Sequence, residues 1–141
     1  MSVYSADILR HAGNPFGLGV LENPTHQHQQ RNPICGDRVT WQVRVEEDMI
    51  IDCRHQTKGC VLCKASASLL FTSLGQTSLS FGSIQIQAFQ TGIQQLALGE
   101  PVTLAQTNTQ LFQGISSAPA RRSCVLLPWE TLGALIETLL K

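Results

Sequence analysis

Nine residues, Arg38–Glu46 (RVTWQVRVE), alternate without a break between two faces. Val39, Trp41, Val43 and Val45 fall on one face, and Arg38, Thr40, Gln42 and Arg44 on the other. A period of two marks a strand with one dry and one wet side. The chain must therefore supply an apolar layer for one face of a sheet and leave the other in water. Glu47-Asp48 reads as a turn and residues 49–53 as the returning strand, which makes an antiparallel hairpin. The polar stretch 25–31 (THQHQQR) reads as an edge strand.

The covering layer has to come from helices. Residues 2–12 read as a short helix capped by Ser2 or Ser5 and stopped at Gly13-Asn14-Pro15. A loop rich in Gly, Pro and Asn follows over 13–24. Beyond Val61 the run CKASASLLFTSL is small and apolar, as in a helix packed closely against its surroundings. Segments 81–98 and 101–112 keep apolar residues at helical spacing among many glutamines, and Pro101 suits a first helical turn. Residues 116–122 read as an irregular connector and 123–140 as an amphipathic helix. The sum is an α+β fold, a small antiparallel three-stranded sheet covered by helices.

A chain of 141 residues is expected to form one domain, 1–141. Basic and acidic residues cancel at 10 each, which argues against a nucleic-acid partner or a polybasic membrane-surface module. The apolar runs fall short of the roughly 18 residues of a membrane span, and the polar start MSVYSADILRHAGNP is unlike a signal peptide. The expected location is the cytoplasm, without a membrane partner.

In that setting the five cysteines are expected as free thiols suited to metal or sulfur chemistry. Three sit at boundaries. Cys35 lies in the turn 33–37, Cys60 follows Gly59 at the opening of a helix, and Cys124 stands near the start of the last helix behind Arg121 and Arg122. A helix N-terminus and neighbouring arginines both favour a thiolate, which is the metal ligand as well as the sulfur nucleophile. Asp37 stands two residues past Cys35, with Gly36 between them to let the backbone turn. Three thiolates and a carboxylate would satisfy tetrahedral zinc, and the sulfurs would equally suit iron–sulfur chemistry. The carboxylate is the weakest donor of such a set, which suits a site that exchanges its contents.

The segments RNPICGDRV, KGCVLCKASASLL and APARRSCVLLPWETL resemble the three signature segments of the IscU/NifU N-terminal family of iron–sulfur assembly scaffolds. The likeness runs over the whole chain and is strongest to the SufU branch. There, a long gap separates the second and third cysteines, and the third motif reads PAR-x-x-C-x-x-L-x-W, here Pro119 to Trp129. The LPPVK chaperone-recognition motif is absent. The resemblance implies a zinc site of Cys35, Asp37, Cys60 and Cys124, and a pyridoxal-phosphate cysteine desulfurase as sulfur donor. It implies Cys124 as the persulfide acceptor and Arg121 as a partner for Asp37 or for the persulfide anion. It also implies delivery to downstream apo iron–sulfur proteins or a further scaffold. In the IscU branch the same cradle builds a labile [2Fe-2S] cluster. The protein is thus expected to be a sulfurtransferase-like persulfide acceptor or a non-catalytic scaffold; the rival of another class is a structural zinc interaction module.

Other residues invite plainer readings. Cys63 shares a helical face with Cys60 and is either a packing residue or a spare thiol. Cys53 reads as packing, His26 and His28 as a solvated edge, and His55 as a surface residue in the turn before Cys60. Lys58 and Lys64 flank Cys60, and Trp41 and Trp129 read as core or interface anchors.

Overall fold

The computed structural model describes the backbone of residues 2–74, 76–101 and 104–141, and the side chains of these except 104–108. Strands β1 (His26–Arg31), β2 (Arg38–Glu46) and β3 (Met49–Lys58) form the expected antiparallel meander. A two-residue strand β4 (Thr77–Ser78) pairs with the start of β3, so the sheet has four strands in the order β1-β2-β3-β4. Val39, Trp41 and Val43 of β2 point into the core, as their alternation requires. Glu47 and Asp48 both take left-handed backbone at φ 51° and 62°, the geometry of a two-residue hairpin turn.

Strand β3 extends five residues beyond the expected 49–53. Its inward positions past Ile50 are Cys53, His55 and Thr57, so polar types stand where an apolar alternation would announce a strand. His55 is accordingly a buried strand residue, not a surface turn residue. Its ring packs on Trp41 at 5.0 Å, and its nitrogens meet Thr57 Oγ1 at 2.8 Å and the Phe16 carbonyl at 2.9 Å. The loop 13–24 is tied to the outer edge of β3 at the same residue, through Gly19 N–H to the His55 carbonyl and His55 N–H to the Gly17 carbonyl.

Helix α1 (Ala6–Gly13) is capped by Ser5, whose Oγ accepts from Ile8 N–H at 3.2 Å. Helix α2 (Val61–Leu74) is buried nearly all round, which explains its small residues: Ala65, Ser66, Ala67 and Ser68 have no exposed surface. Ser66 faces the C-terminal helix α4 (Arg122–Leu140), donating to the Val125 carbonyl and accepting from Trp129 Nε1–H at 2.9 Å. Ser68 faces the other way, accepting from Phe16 N–H and bonding His11. Helices α2 and α4 cover the dry face of the sheet. Helix α3 (Leu79–Ala97) packs on α4, where Phe89 stacks on Trp129 with ring centroids 3.6 Å apart. Both tryptophans are core anchors; Trp41 Nε1–H donates to the Pro128 carbonyl at 3.0 Å.

A further expectation changes. Of the helix expected over 101–112, positions 102–103 lie outside the described residues, and 104–112 belong to a 3-10 helix over Leu104–Ser117. Within Pro119–Leu140 an 18-residue window reaches a mean hydropathy of 1.3, which by length and composition alone would cross a membrane; Glu130 and Glu137 interrupt it, and here the helix packs into the core.

Candidate functional site

Three chain segments meet at one end of the sheet. The first is the turn 32–37 between β1 and β2. Asn32 builds it: its carbonyl accepts from Gly36 N–H, its N–H donates to the Asp37 carbonyl at 2.8 Å, and its Oδ1 accepts from Ile34 N–H at 3.1 Å. Gly36 takes φ +76°, a conformation that glycine adopts without strain, and this reverses the chain between Cys35 and Asp37. Asn32 also reaches across to the third segment, donating from Nδ2 to Ser123 Oγ at 3.0 Å. The turn is therefore pinned to the start of α4, one residue before Cys124.

The second segment is the junction of β3 and α2. Cys60 is the residue ahead of α2, and its carbonyl accepts from Lys64 N–H. Its own N–H donates to Asp37 Oδ1 at 3.1 Å, and its Sγ lies 3.8 Å from Asp37 Oδ2. Gly59 makes this approach possible, since a Cβ there would fall 2.5 Å from Asp37 Oδ1. The third segment is the first turn of α4, which brings Cys124 Sγ to 3.7 Å from Cys35 Sγ. Donor atoms of Cys35, Asp37 and Cys124 all lie within 4.8 Å of one another, and Cys60 adjoins them through Asp37. Cys35 is exposed, Cys60 half-buried, and Asp37 and Cys124 are buried.

Electrostatics here run against the expectation of a low-pKa thiol at a helix start. Burial first, and the anionic form of Cys60 after it, push the Cys124 thiol well above its ordinary value. Removal from water and neighbouring negative charge outweigh the helix terminus and the arginines. Arg121 is exposed. The anionic forms of Tyr4, Cys60 and Cys124 raise its pKa. The ion pairs among the described residues are Arg10–Asp7 and Arg54–Asp52, so Arg121 is not paired with Asp37.

Cys63 lies fully buried beneath this cluster, its thiol pushed up chiefly by burial and then by Asp37, Cys60 and Cys35. Cys53 is a core residue of β3 whose thiol burial pushes up to about 12. His26 and His28 sit on β1, bonded to Thr25 and Gln30, and among the described residues neither joins the group of metal-ligating donors. Reading the sequence for chemistry missed Gly59 and Asn32. The glycine directly before Cys60 and the asparagine opening the turn were the available signals.

The model of the NifU-like N-terminal domain family matches residues 3–138. The chain belongs to that family. Its members here include the IscU and SufU proteins of iron–sulfur cluster assembly. The zinc-dependent sulfurtransferase SufU of Bacillus subtilis is 28% identical over 131 residues, covering 93% of this chain and 87% of that one. The iron–sulfur cluster assembly scaffold protein IscU of Thermotoga maritima is 30% identical over 132 residues, covering 92% and 89%. In fold, this NifU-like domain superposes on the N-terminal NifU-like protein of Brucella abortus with a TM-score of 0.82 at 21% identity, covering 97% of this chain and 94% of that one.

Proposed function

We propose that this protein, acting as one domain, takes sulfur from a pyridoxal-phosphate cysteine desulfurase at Cys124 and passes it on for iron–sulfur cluster assembly. In this reading Cys35, Asp37, Cys60 and Cys124 hold a metal ion, zinc in the first instance. The observation that carries it is the convergence of Cys35, Asp37 and Cys124 donors within 4.8 Å, from positions up to 89 residues apart. The donor set suits the ion, because zinc takes thiolates and a carboxylate together. When bound, the metal supplies the positive charge that keeps crowded thiols deprotonated at neutral pH.

The chain's own residues do the rest. Cys60 N–H orients the Asp37 carboxylate, and Gly59 leaves room for it. Cys124 sulfur attacks the terminal sulfur of the donor's Cys–S–SH. The donor's S–S bond breaks, its cysteine leaves as a thiolate, and Cys124 carries the sulfane sulfur with no net change in oxidation state. Cys35, the most exposed of the four side chains, lies on the approach. Arg121 stands beside Cys124, where it steadies the persulfide anion. Five free thiols support a reducing compartment such as the cytoplasm.

A second reading rests on Asp37, the lone carboxylate of the set. As the weakest soft-metal donor it would make a [2Fe-2S] cluster labile, as a scaffold that delivers clusters requires. Sulfide release by a desulfurase tests the first reading. Wild type is expected to raise it above desulfurase alone, and Cys124→Ser is expected to lose the increase while keeping its circular dichroism. No increase with wild type sinks sulfur acceptance. A Cys124→Ser protein that simply unfolds points to a structural zinc module. Elemental analysis with a visible spectrum separates colourless zinc protein from a coloured cluster, and slower cluster loss in Asp37→Ala would support the scaffold reading.

A further inference from the structure

Net charge hides a strong polarity. Six of the ten basic residues, Arg31, Arg38, Lys58, Lys64, Arg121 and Arg122, lie within four positions of Cys35, Asp37, Cys60 or Cys124. The only acidic residue so placed is Asp37 itself, which is buried. The thiol end thus carries six positive charges against one negative, and the rest of the chain four against nine. Glu46, Glu47 and Asp48 occupy the hairpin at the opposite end of β2, a strand of nine residues and hence about 27 Å away.

The cations are arranged at a cost. Arg31 stands opposite Arg38, and Arg38 opposite Lys58, in one row across the wet face of the sheet. Like charges directly opposite on a sheet repel. The ion pairs among the described residues, Arg10–Asp7 and Arg54–Asp52, engage none of the six cations. In the turn between β1 and β2, three residues after Arg31 and four before Arg38, stands Ile34, 91% exposed beside Cys35. It is not on a loose loop, because its N–H is bound to Asn32, which is bound to Ser123. An exposed apolar residue in a pinned turn whose two ends carry arginines has the anatomy of an interface anchor.

We infer that the thiol end of this protein docks an acidic protein surface, with Ile34 as the apolar anchor and the Arg31–Arg38–Lys58 row as the charged rim. The inference rests on the proposed sulfur transfer, and it adds the character of the donor: the desulfurase presents its sulfur from an acidic face. A long polyanion fits less well, since the acidic hairpin would repel it and the chain has no net charge. Charge of this kind speeds encounter and sets orientation, and it weakens with salt.

The test measures binding to the cysteine desulfurase, and sulfide release, at 50 and 300 mM salt, order-of-magnitude conditions that bracket screening. The triple variant R31E/R38E/K58E keeps a row of like charges, so its folding cost stays close to that of wild type. It is expected to bind about tenfold more weakly at low salt and to approach wild type at high salt. Ile34→Ala is expected to lose about tenfold at both. Unchanged affinity and salt dependence in the triple variant, or binding within about twofold for Ile34→Ala, overturns the inference while leaving sulfur transfer intact. If wild type neither binds nor stimulates the desulfurase, the sulfur-transfer reading fails instead. Poly-L-glutamate added to nitrogen-15-labelled protein then decides the charge claim by itself. Amide shifts confined to the turn 32–37 and the residues flanking Cys60 and Cys124 support it. Evenly spread shifts, equal shifts with single-stranded DNA, or low-salt self-association abolished by the triple variant overturn it.

Discussion

Replacing Gly59 by alanine puts one methyl group where Asp37 already is. The new Cβ falls 2.5 Å from Asp37 Oδ1 and 2.7 Å from its Cγ, so the carboxylate must move by about 1 Å to reach ordinary contact. That displacement breaks the 3.1 Å bond from Cys60 N–H. A hydrogen bond to a charged group contributes about 1.5–3 kcal/mol, and overfilling a packed site costs about 1–3 kcal/mol. Taking the lower part of both ranges gives a loss of about 3 kcal/mol. For a domain of this size that is a fall of roughly 6–12 °C in Tm. Residue 59 is not among the positions with left-handed backbone, so alanine adds no conformational strain there. The assay is urea unfolding followed by circular dichroism, with chelator and reductant present. It is repeated in an Asp37→Ala background, which removes the obstructing carboxylate. There Gly59→Ala should cost at least about 2 kcal/mol less, a coupling typical of residues in contact. Equal losses in the two backgrounds would refute the steric argument and with it the role given to Gly59.

Ser66→Ala removes the acceptor of the buried Trp129 indole N–H and should cost about 2 kcal/mol in urea unfolding, with a change in tryptophan fluorescence. Burial lowers the pKa of His55, so the unfolded chain takes up its proton first as pH falls. Stability from His55 is full above its unfolded value near 6.5 and declines below it until the lower folded pKa is reached; urea midpoints between about pH 5 and 8 should show that slope, and His55→Gln should reduce it. Cobalt uptake, read from thiolate-to-metal absorption, should fall in Cys35→Ala, Cys60→Ala and Cys124→Ala by more than the roughly 10–100-fold that an outer contact costs. Cys63→Ala should stay within about tenfold of wild type. An equal loss in Cys63→Ala would make that buried thiol a donor.

What the sequence discloses depends on how far apart the interacting atoms are along the chain. Strand β2 is legible because its faces differ in polarity at every step. The second half of β3 is not, because its inward residues are Cys53, His55 and Thr57, whose polar groups are satisfied by partners such as Phe16, 39 residues away from His55. The site divides in the same way. Cys35, Gly36 and Asp37 form a local turn whose geometry follows from three adjacent residues, and motif likeness supplies Cys60 and Cys124. Asn32 and Gly59 act by a bond to Ser123 and by an absence of bulk beside Asp37, and no local pattern records either. The thiol of Cys124 shows the converse error. Its position at a helix start is local and favours ionisation, but burial is a property of the whole fold and outweighs it.

The donors come from the first hairpin, the entry to α2 and the beginning of α4, so no single element of the chain contains them together. An ion captured there would grip only finished molecules and would clasp the early and late portions of the polypeptide like a buckle. Loading would then double as quality control: a half-made or partly unravelled copy has nothing to load and offers no delivery platform, whatever thiols it still carries.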